Sequence, residues 1–350
     1  MPCVGRNFEY NRAIAEGFLS NPVAQRAVRI VAEGVGQAPF TCSSQQLSAL
    51  VSATSAGQSL IESLASHLLL HGNGYVQIIK DNDGTPIELF ALRPERIEIV
   101  AGPDGWPCQY NYRLADQTIV IPIEDDEGWP NLIHVRSMHP TEDLYGAGTL
   151  AAADEAIAIH NAAAHWNLAL LENAARPSGA LIHESENGNG LTSEQFDRLR
   201  GELSNAFSGS TNAGRPLLLD GGLKWQSMAL SPADMDFATL KSAAARDIAL
   251  AFGVPPMLLG LPGDNTYSNY REANRALWRL TLLPLAEKLL SCLQEGLSSW
   301  FPDKELRIDL DQVPALSEDR ERLWKQVSDA DFLTREEKRS MLGLAEDKWP

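Results

Sequence analysis

Two alanine-rich stretches with proline and glycine stops bracket residues 177–229, and this layout limits the chain more than any other feature. Between positions 151 and 175 alanine occurs eleven times. Alanine has the best intrinsic helix propensity, so the spacing predicts a helix over residues 150–175. At a rise of about 1.5 Å per residue it is about 40 Å long. Ile157, Ala164, Leu168 and Leu171 form one apolar stripe along it. Arg176-Pro177 ends it, because a residue before proline is pushed out of the helical region. A second helix is expected from Pro232 to Phe252. Ser231 is the N-cap candidate, Pro232 fits the first helical position, and Gly253-Val254-Pro255-Pro256 is the stop. Alanine at 243, 244, 245, 249 and 251 keeps this helix slim. An out-and-back pair of pillars carrying a small module suits a part of an assembly better than an enzyme.

The flanking segments read as an α+β chain. Helices are expected over residues 22–36 and 57–71, followed by short strands at 75–79, 87–92, 97–100, 109–114, 118–123 and 132–135. Asn82-Asp83-Gly84 and Pro103-Asp104-Gly105 are turn signals between them. Residues 1–147 therefore read as one domain with a mostly antiparallel sheet. The bracketed module contains a strand at 179–183, a helix from Thr192 to Phe207 capped by Thr192 and Gln195, and a hairpin formed by 216–220 and 223–228. A long helix is expected from Tyr267 to Trp300 with a kink at Pro284. It is followed by a returning strand at 306–310 and two short helices, the second capped by Thr334 and Glu337 and stopped by Gly343.

Composition narrows the function classes. With 350 residues and 44% hydrophobic content a sizeable core is available. A net charge of −17, from 46 acids and 29 bases, argues against gripping nucleic acid by phosphate neutralisation. It leaves room for a surface past which DNA slides. Cys3, Cys42, Cys108 and Cys292 are far apart and read as reduced thiols, neither a disulfide frame nor a zinc site. No signal-peptide pattern opens the chain, and no run of about 18 apolar residues predicts a membrane span.

Enzyme-like motifs fail on chemistry. Gly209-Ser-Thr-Asn-Ala-Gly214 copies the glycine spacing of a phosphate loop. Arg215 and Pro216 then stand where the lysine and the magnesium-binding hydroxyl belong, and the helix lies on the wrong side. Asp81-Asn82-Asp83-Gly84 begins like a calcium loop, but its glycine comes too early, so a hairpin turn is expected. His67 and His71 lie four apart on a helix with no third ligand in sight. No GxSxG elbow is present. The residues give no catalytic site, metal site or cofactor.

Several ordered motifs resemble the portal proteins of tailed bacteriophages, of the long-tailed phage and gene transfer agent type. His71-Gly-Asn-Gly-Tyr75 is similar to the family's early hairpin, and Tyr145-Gly-Ala-Gly-Thr-Leu150 to the entry of its first stem helix. Asn173-Ala-Ala-Arg-Pro-Ser-Gly179 resembles the exit of that helix. Asn212-Ala-Gly-Arg215 with Leu217-Leu-Leu-Asp-Gly-Gly222 fits the clip. The most specific run is Leu230-Ser-Pro-Ala-Asp-Met235, Arg246-Asp-Ile248 and Ala251-Phe-Gly-Val-Pro-Pro256. Thr281-Leu-Leu-Pro284 and Leu333-Thr-Arg-Glu-Glu-Lys-Arg339 match as well, so the resemblance spans essentially the whole chain.

The resemblance implies a portal fold: an α/β wing over 1–147, stem helices over 148–176 and 230–256, and a small α/β clip over 177–229. A tunnel loop, a long helix and a return to the wing fill 257–311, and a short helical crown fills 312–350. It implies a ring of twelve subunits at one capsid vertex, the channel for DNA packaging and ejection, with no catalysis and no cofactor. The implied partners are the major capsid protein, the terminase large subunit, a head–tail adaptor, and double-stranded DNA passing without sequence specificity. The implied location is the virion, after assembly in the bacterial host cytoplasm, with no membrane involved. Asn265, Thr266, Tyr267 and Asn269 are the expected tunnel-loop residues. Asn212, Arg215, Asp220 and Lys224 are the expected clip-interface residues. A cytosolic enzyme with a scattered site, or another ring-forming head–tail protein, is the alternative.

Overall fold

The structure is a computed structural model that describes residues 8–55, 57–172, 179–183, 192–207, 223–227, 237–262 and 267–343. The helices are α1 (Tyr10–Ala13), α2 (Pro22–Gly36), α3 (Gln45–Val51), α4 (Leu60–Leu70), α5 (Thr149–Glu172), α6 (Ser193–Phe207), α7 (Phe237–Ala251), α8 (Tyr267–Leu277), α9 (Leu283–Gly296), α10 (Ser317–Ser328) and α11 (Arg335–Met341). The strands are β1 (Phe40–Cys42), β2 (Thr54–Ser55), β3 (Gln58–Ser59), β4 (Asn73–Lys80), β5 (Pro86–Leu92), β6 (Ile97–Ala101), β7 (Pro107–Leu114), β8 (Gln117–Pro122), β9 (Leu132–Arg136), β10 (Gly179–His183), β11 (Leu223–Ser227) and β12 (Leu306–Ile308). The fold class is α+β, and the chain divides into two compact units, residues 1–154 with 248–350, and residues 155–247.

The first unit is built on two antiparallel three-stranded sheets, ordered β5-β4-β9 and β6-β7-β8. Alternation along β6 and β7 sends Ile97, Ile99, Tyr110 and Tyr112 to one face. There they join Tyr75, Leu92, Ile121 and Leu132 in a common core. The helical side of the unit is held by α2, α4 and α9, whose Val28, Val31, Leu64, Leu289 and Leu293 are at most 1% exposed. Local chemistry sets these helix starts. Asn21 accepts from the amides of Val23 and Ala24 ahead of Pro22, and Ser59 accepts from the amide of Glu62. The expected returning strand is β12. It pairs antiparallel with β1, which the sequence reading did not anticipate, and so ties residues 306–308 to 40–42.

Two other expectations are refined. The long helix does not simply kink at Pro284. It takes a π turn over Trp278–Leu282 between α8 and α9, because Pro284 has no amide to donate to the carbonyl four residues back. Thr281 in that turn donates its hydroxyl to the Gly253 carbonyl at 2.7 Å. Gly253 itself has φ +64, the left-handed conformation of the stop expected after α7. The second capping box is present as read, with Thr334 and Glu337 bonding reciprocally ahead of α11.

The second unit contains most of α5 and α7, the helix α6 and the antiparallel pair β10–β11. Thr192 and Gln195 form the expected capping box of α6. β11 takes β10 as its partner in register Leu181↔Trp225. The hairpin partner expected at 216–220 lies outside the described residues, as do the Arg176-Pro177 stop and the Ser231 cap. The ring of Trp166 on α5 lies 5.5 Å from that of Phe237 on α7. The predicted stripe on α5 is unevenly buried, with Ile157 1% exposed and Leu168 52% exposed.

Close packing of α9 on β9 gives a direct test. A Cβ added at Gly296 would lie 2.5 Å from the Ile133 side chain. Gly296→Ala should therefore lower stability by about 1–3 kcal/mol through overpacking. Gly201→Ala in α6 meets nothing within 4 Å and should leave stability unchanged or slightly raised. Thermal midpoints of the two variants check the difference.

Candidate functional site

Asn73, the first residue of β4, is 1% exposed and bonds to several partners through its side chain. Two helix-end devices place it. His71 is the C-cap of α4, and Gly72 follows at φ +86, its amide donating to the carbonyls of Leu68 and His67. The chain then turns into β4, where Asn73 pairs with Arg136 of β9.

From there the Asn73 side chain crosses to the segment that opens α5. Its Oδ1 accepts from the Gly146 amide at 2.7 Å, and its Nδ2 donates to the Gly146 carbonyl at 3.2 Å. Backbone roles are fixed, so these two bonds determine which end of the Asn73 amide is oxygen. His134 Nε2, 3.1 Å from Oδ1, must then donate. His71 Nδ1, 3.2 Å from Nδ2, accepts from it, sharing that donor with the His71 carbonyl at 3.4 Å. The backbones meet closely at the same place. A Cβ on Gly72 would lie 2.4 Å from the Ala147 carbonyl carbon, and one on Gly146 would lie 2.1 Å from the Gly72 oxygen. Only glycine permits this approach.

The first turns of α5 are pinned further. Leu150 and Ala153 are at most 1% exposed. Asp154 is 6% exposed and pairs with Arg12 of α1, Nη2 to Oδ2 at 2.9 Å and Nη1 to Oδ1 at 3.4 Å. That hydrogen bond is the main reason the Arg12 guanidinium pKa is raised. Together these contacts form a rigid joint between the sheet and the start of α5.

Aromatic and imidazole rings surround the joint. Tyr75 stacks on His134 with centroids 4.4 Å apart, and Tyr110 meets Tyr75 edge-on at 5.9 Å. The Tyr75 hydroxyl and His67 Nδ1 are buried with no hydrogen-bond partner among the described residues. Burial pushes both His67 and His134 down to about 4. Burial also lowers His71, against the opposing pull of Glu95, and raises Tyr75. The pair His67 and His71, considered above for a metal, thus belongs to a neutral buried cluster. Among the described residues no group of three His, Cys, Asp or Glu could hold a metal ion.

The expected tunnel residues are only partly in view. Asn265 and Thr266 lie outside the described residues. Tyr267 opens α8, and Asn269 is exposed on its first turn. α8 is clamped to α10. Arg271 Nη1 meets Glu318 Oε1 at 2.6 Å, and Arg275 meets Glu318 Oε2 at 3.1 Å and Asp319 Oδ2 at 3.4 Å. Of the expected clip-interface residues, Lys224 is exposed on β11, while Asn212, Arg215 and Asp220 lie outside the described residues, as does the 209–214 glycine loop. Asn73 and His134 were not singled out as site residues. The available signal was that His71-Gly-Asn-Gly-Tyr75 and Tyr145-Gly-Ala-Gly carry paired glycines, the mark of close backbone approach.

Comparisons with known proteins agree with one another. The family model described as phage portal protein matches residues 22–343. A protein in the neck of a native gene transfer agent particle, solved with C12 symmetry, superposes with TM-score 0.73. It is 45% identical, with 98% of this chain and 95% of that chain covered. An uncharacterised protein of Rickettsia bellii is 39% identical over 95% of this chain and 89% of its own. The probable portal protein of Streptomyces phage phiC31 is 27% identical over 73% of this chain and 57% of its own.

Two predictions follow from the joint. Asn73→Ala leaves the Gly146 amide and carbonyl buried without partners and should cost about 2–4 kcal/mol. Asn73→Asp keeps the acceptor but sets a carboxylate oxygen against the Gly146 carbonyl, so it should not rescue; thermal unfolding of both variants checks this. The second concerns pH. His67 and His134 fall from 6.5 to about 4 on folding, so their contribution is full above 6.5 and is lost as pH drops toward 4. The loss should be on the order of 2 kcal/mol per ring by pH 5. Midpoints measured between pH 7.5 and 4.5 should fall steadily; a flat profile contradicts the buried neutral cluster.

Proposed function

Because the chain belongs to the phage portal protein family, we propose that twelve copies form a ring at one capsid vertex, with an axial channel through which double-stranded DNA is packaged and ejected. The observation that carries this reading is the 45% identity, over 98% of the chain, to a protein of a gene transfer agent neck with C12 symmetry. In the proposed ring, α5 and α7 belong to the stem, residues 177–229 to the clip, and residues 1–147 with the return at 257–311 to the wing. The C-terminal residues 312–350 are the crown.

Several physical features support the assignment. The joint at Asn73 ties the segment that opens α5 to the first strand of the sheet, β4. Many alanines of α5 stay exposed on the single chain, Ala151, Ala152, Ala162 and Ala169 among them, so a neighbouring helix can come close. A net charge of −17 per subunit keeps DNA from adhering to the channel wall. Asn265, Thr266, Tyr267 and Asn269, at the start of the helix clamped to α10, are the proposed channel-facing residues. Asn212, Arg215, Asp220 and Lys224 are the proposed contacts for a head–tail adaptor. The major capsid protein and the terminase large subunit are the other proposed partners. The terminase supplies the energy of packaging, and the portal hydrolyses nothing. Assembly is proposed to take place in the host cytoplasm before the particle matures.

Native mass spectrometry of the purified chain tests the ring. The expected species has twelve times the subunit mass of 38.3 kDa, with a central hole in negative-stain images of the same sample. A defined oligomer of another closed symmetry, without a hole, would contradict the reading. Packaging that is unchanged after joint replacement of Asn265, Thr266, Tyr267 and Asn269 would remove those residues from the channel.

A further inference from the structure

The geometry around Asn73 leads to an inference that does not depend on the portal reading. We propose that His71 is a proton-operated lock on the joint between β4 and α5, closed when its Nδ1 is an acceptor and released when Nδ1 carries a proton. The orientation of the Asn73 amide is dictated by the Gly146 backbone, whose amide donates to Oδ1 at 2.7 Å and whose carbonyl accepts from Nδ2 at 3.2 Å. Nδ2 therefore faces His71 Nδ1 at 3.2 Å, and only an unprotonated Nδ1 can accept from it. A proton there sets donor against donor. Turning the Asn73 amide over relieves that clash but aims Nδ2 at the Gly146 amide and Oδ1 at the Gly146 carbonyl, so both bonds across the joint are lost. Neither arrangement satisfies His71 in its charged form and Gly146 together.

His134 differs in a way that makes the assignment specific. Its Nε2 donates to Asn73 Oδ1 at 3.1 Å. That hydrogen is present in the neutral tautomer the joint requires and also in the charged ring, so protonation of His134 leaves this bond in place. The remaining groups facing His71 are few. The Tyr10 ring of α1 lies edge-on at 4.9 Å, and His67 stands one turn earlier on α4. Glu95, in the connection between β5 and β6, favours the charged form of His71. Arg93 in the same connection and Arg136 on β9 act on the neighbouring histidines and disfavour further positive charge. Burial outweighs Glu95, so the His71 pKa lies below 6.5. The lock is then closed above that pH and opens as pH falls below it.

Hydrogen exchange on the full-length protein, read by mass spectrometry at pH 7.5 and 5.0 and corrected for the intrinsic pH dependence of exchange, tests the lock. In the wild type the protection of the amides over 146–150 should fall at pH 5.0 by about threefold or more beyond the fall in Tyr75–Ile79 of β4, which reports the loss shared through His67 and His134. His71→Gln supplies a neutral acceptor that cannot titrate, so this extra loss over 146–150 should be absent from it. A smaller loss in the wild type overturns the proposal, as does an equal loss in His71→Gln. Should that variant fail to fold, the ¹⁵N shifts of the wild-type imidazoles decide. His71 must carry its neutral-pH proton on Nε2, and a proton on Nδ1 with Gly146 still protected refutes the lock.

Discussion

The two hydrogen bonds between the Asn73 side chain and the Gly146 backbone are the constraint on which the rest of the structure depends. They join the end of α4 and the start of β4 to the segment from which α5 departs. The sheets on one side of the joint hold the tyrosine and isoleucine core. The division into two compact units falls within α5, between residues 154 and 155. Within the first unit the opening residues of α5 are held by Asn73 and the glycine contacts, with Leu150, Ala153 and the Arg12–Asp154 pair beside them. The cost is a cluster of buried neutral imidazoles, which makes the joint sensitive to acid.

Much of this architecture was legible in the residues. Helix spacing with Thr192 and Thr334 as starts, and Gly253 and Gly343 as stops, places most helices close to where they form, because caps and breakers act within a few residues. The strands from β4 to β9 were readable for the same reason, being joined by short turns. β1 was not, because its three residues gain order only by pairing with β12, more than 260 positions away. The π turn before Pro284 was read as a kink, since the sequence shows that a hydrogen bond is lost but not how the helix absorbs the loss.

The joint was half legible. His71-Gly-Asn-Gly-Tyr75 and Tyr145-Gly-Ala-Gly-Thr-Leu150 both stood out as family-like motifs, but nothing in either one says that they touch. Seventy-three positions separate Asn73 from Gly146. His67 and His71 drew attention as a possible metal pair because four-residue spacing on a helix allows shared ligation. Among the described residues no group of three His, Cys, Asp or Glu stands ready to complete such a site, and surroundings are not written in spacing. The fold class and the family were readable because they rest on many weak signals in a fixed order, whereas the roles of single residues rest on contacts made across the fold.

The central proposal is that the alanine-rich helices build the wall of an axial channel. A cryo-electron microscopy reconstruction of the assembled protein tests it most directly. The account predicts a twelvefold ring in which α5 and α7 of neighbouring subunits pack side by side around the hole, with the first turn of α8 facing the axis and Asn73 within hydrogen-bond distance of Gly146 in every subunit. A ring with α5 and α7 on its outer rim, or an assembly with no axial channel, would contradict it.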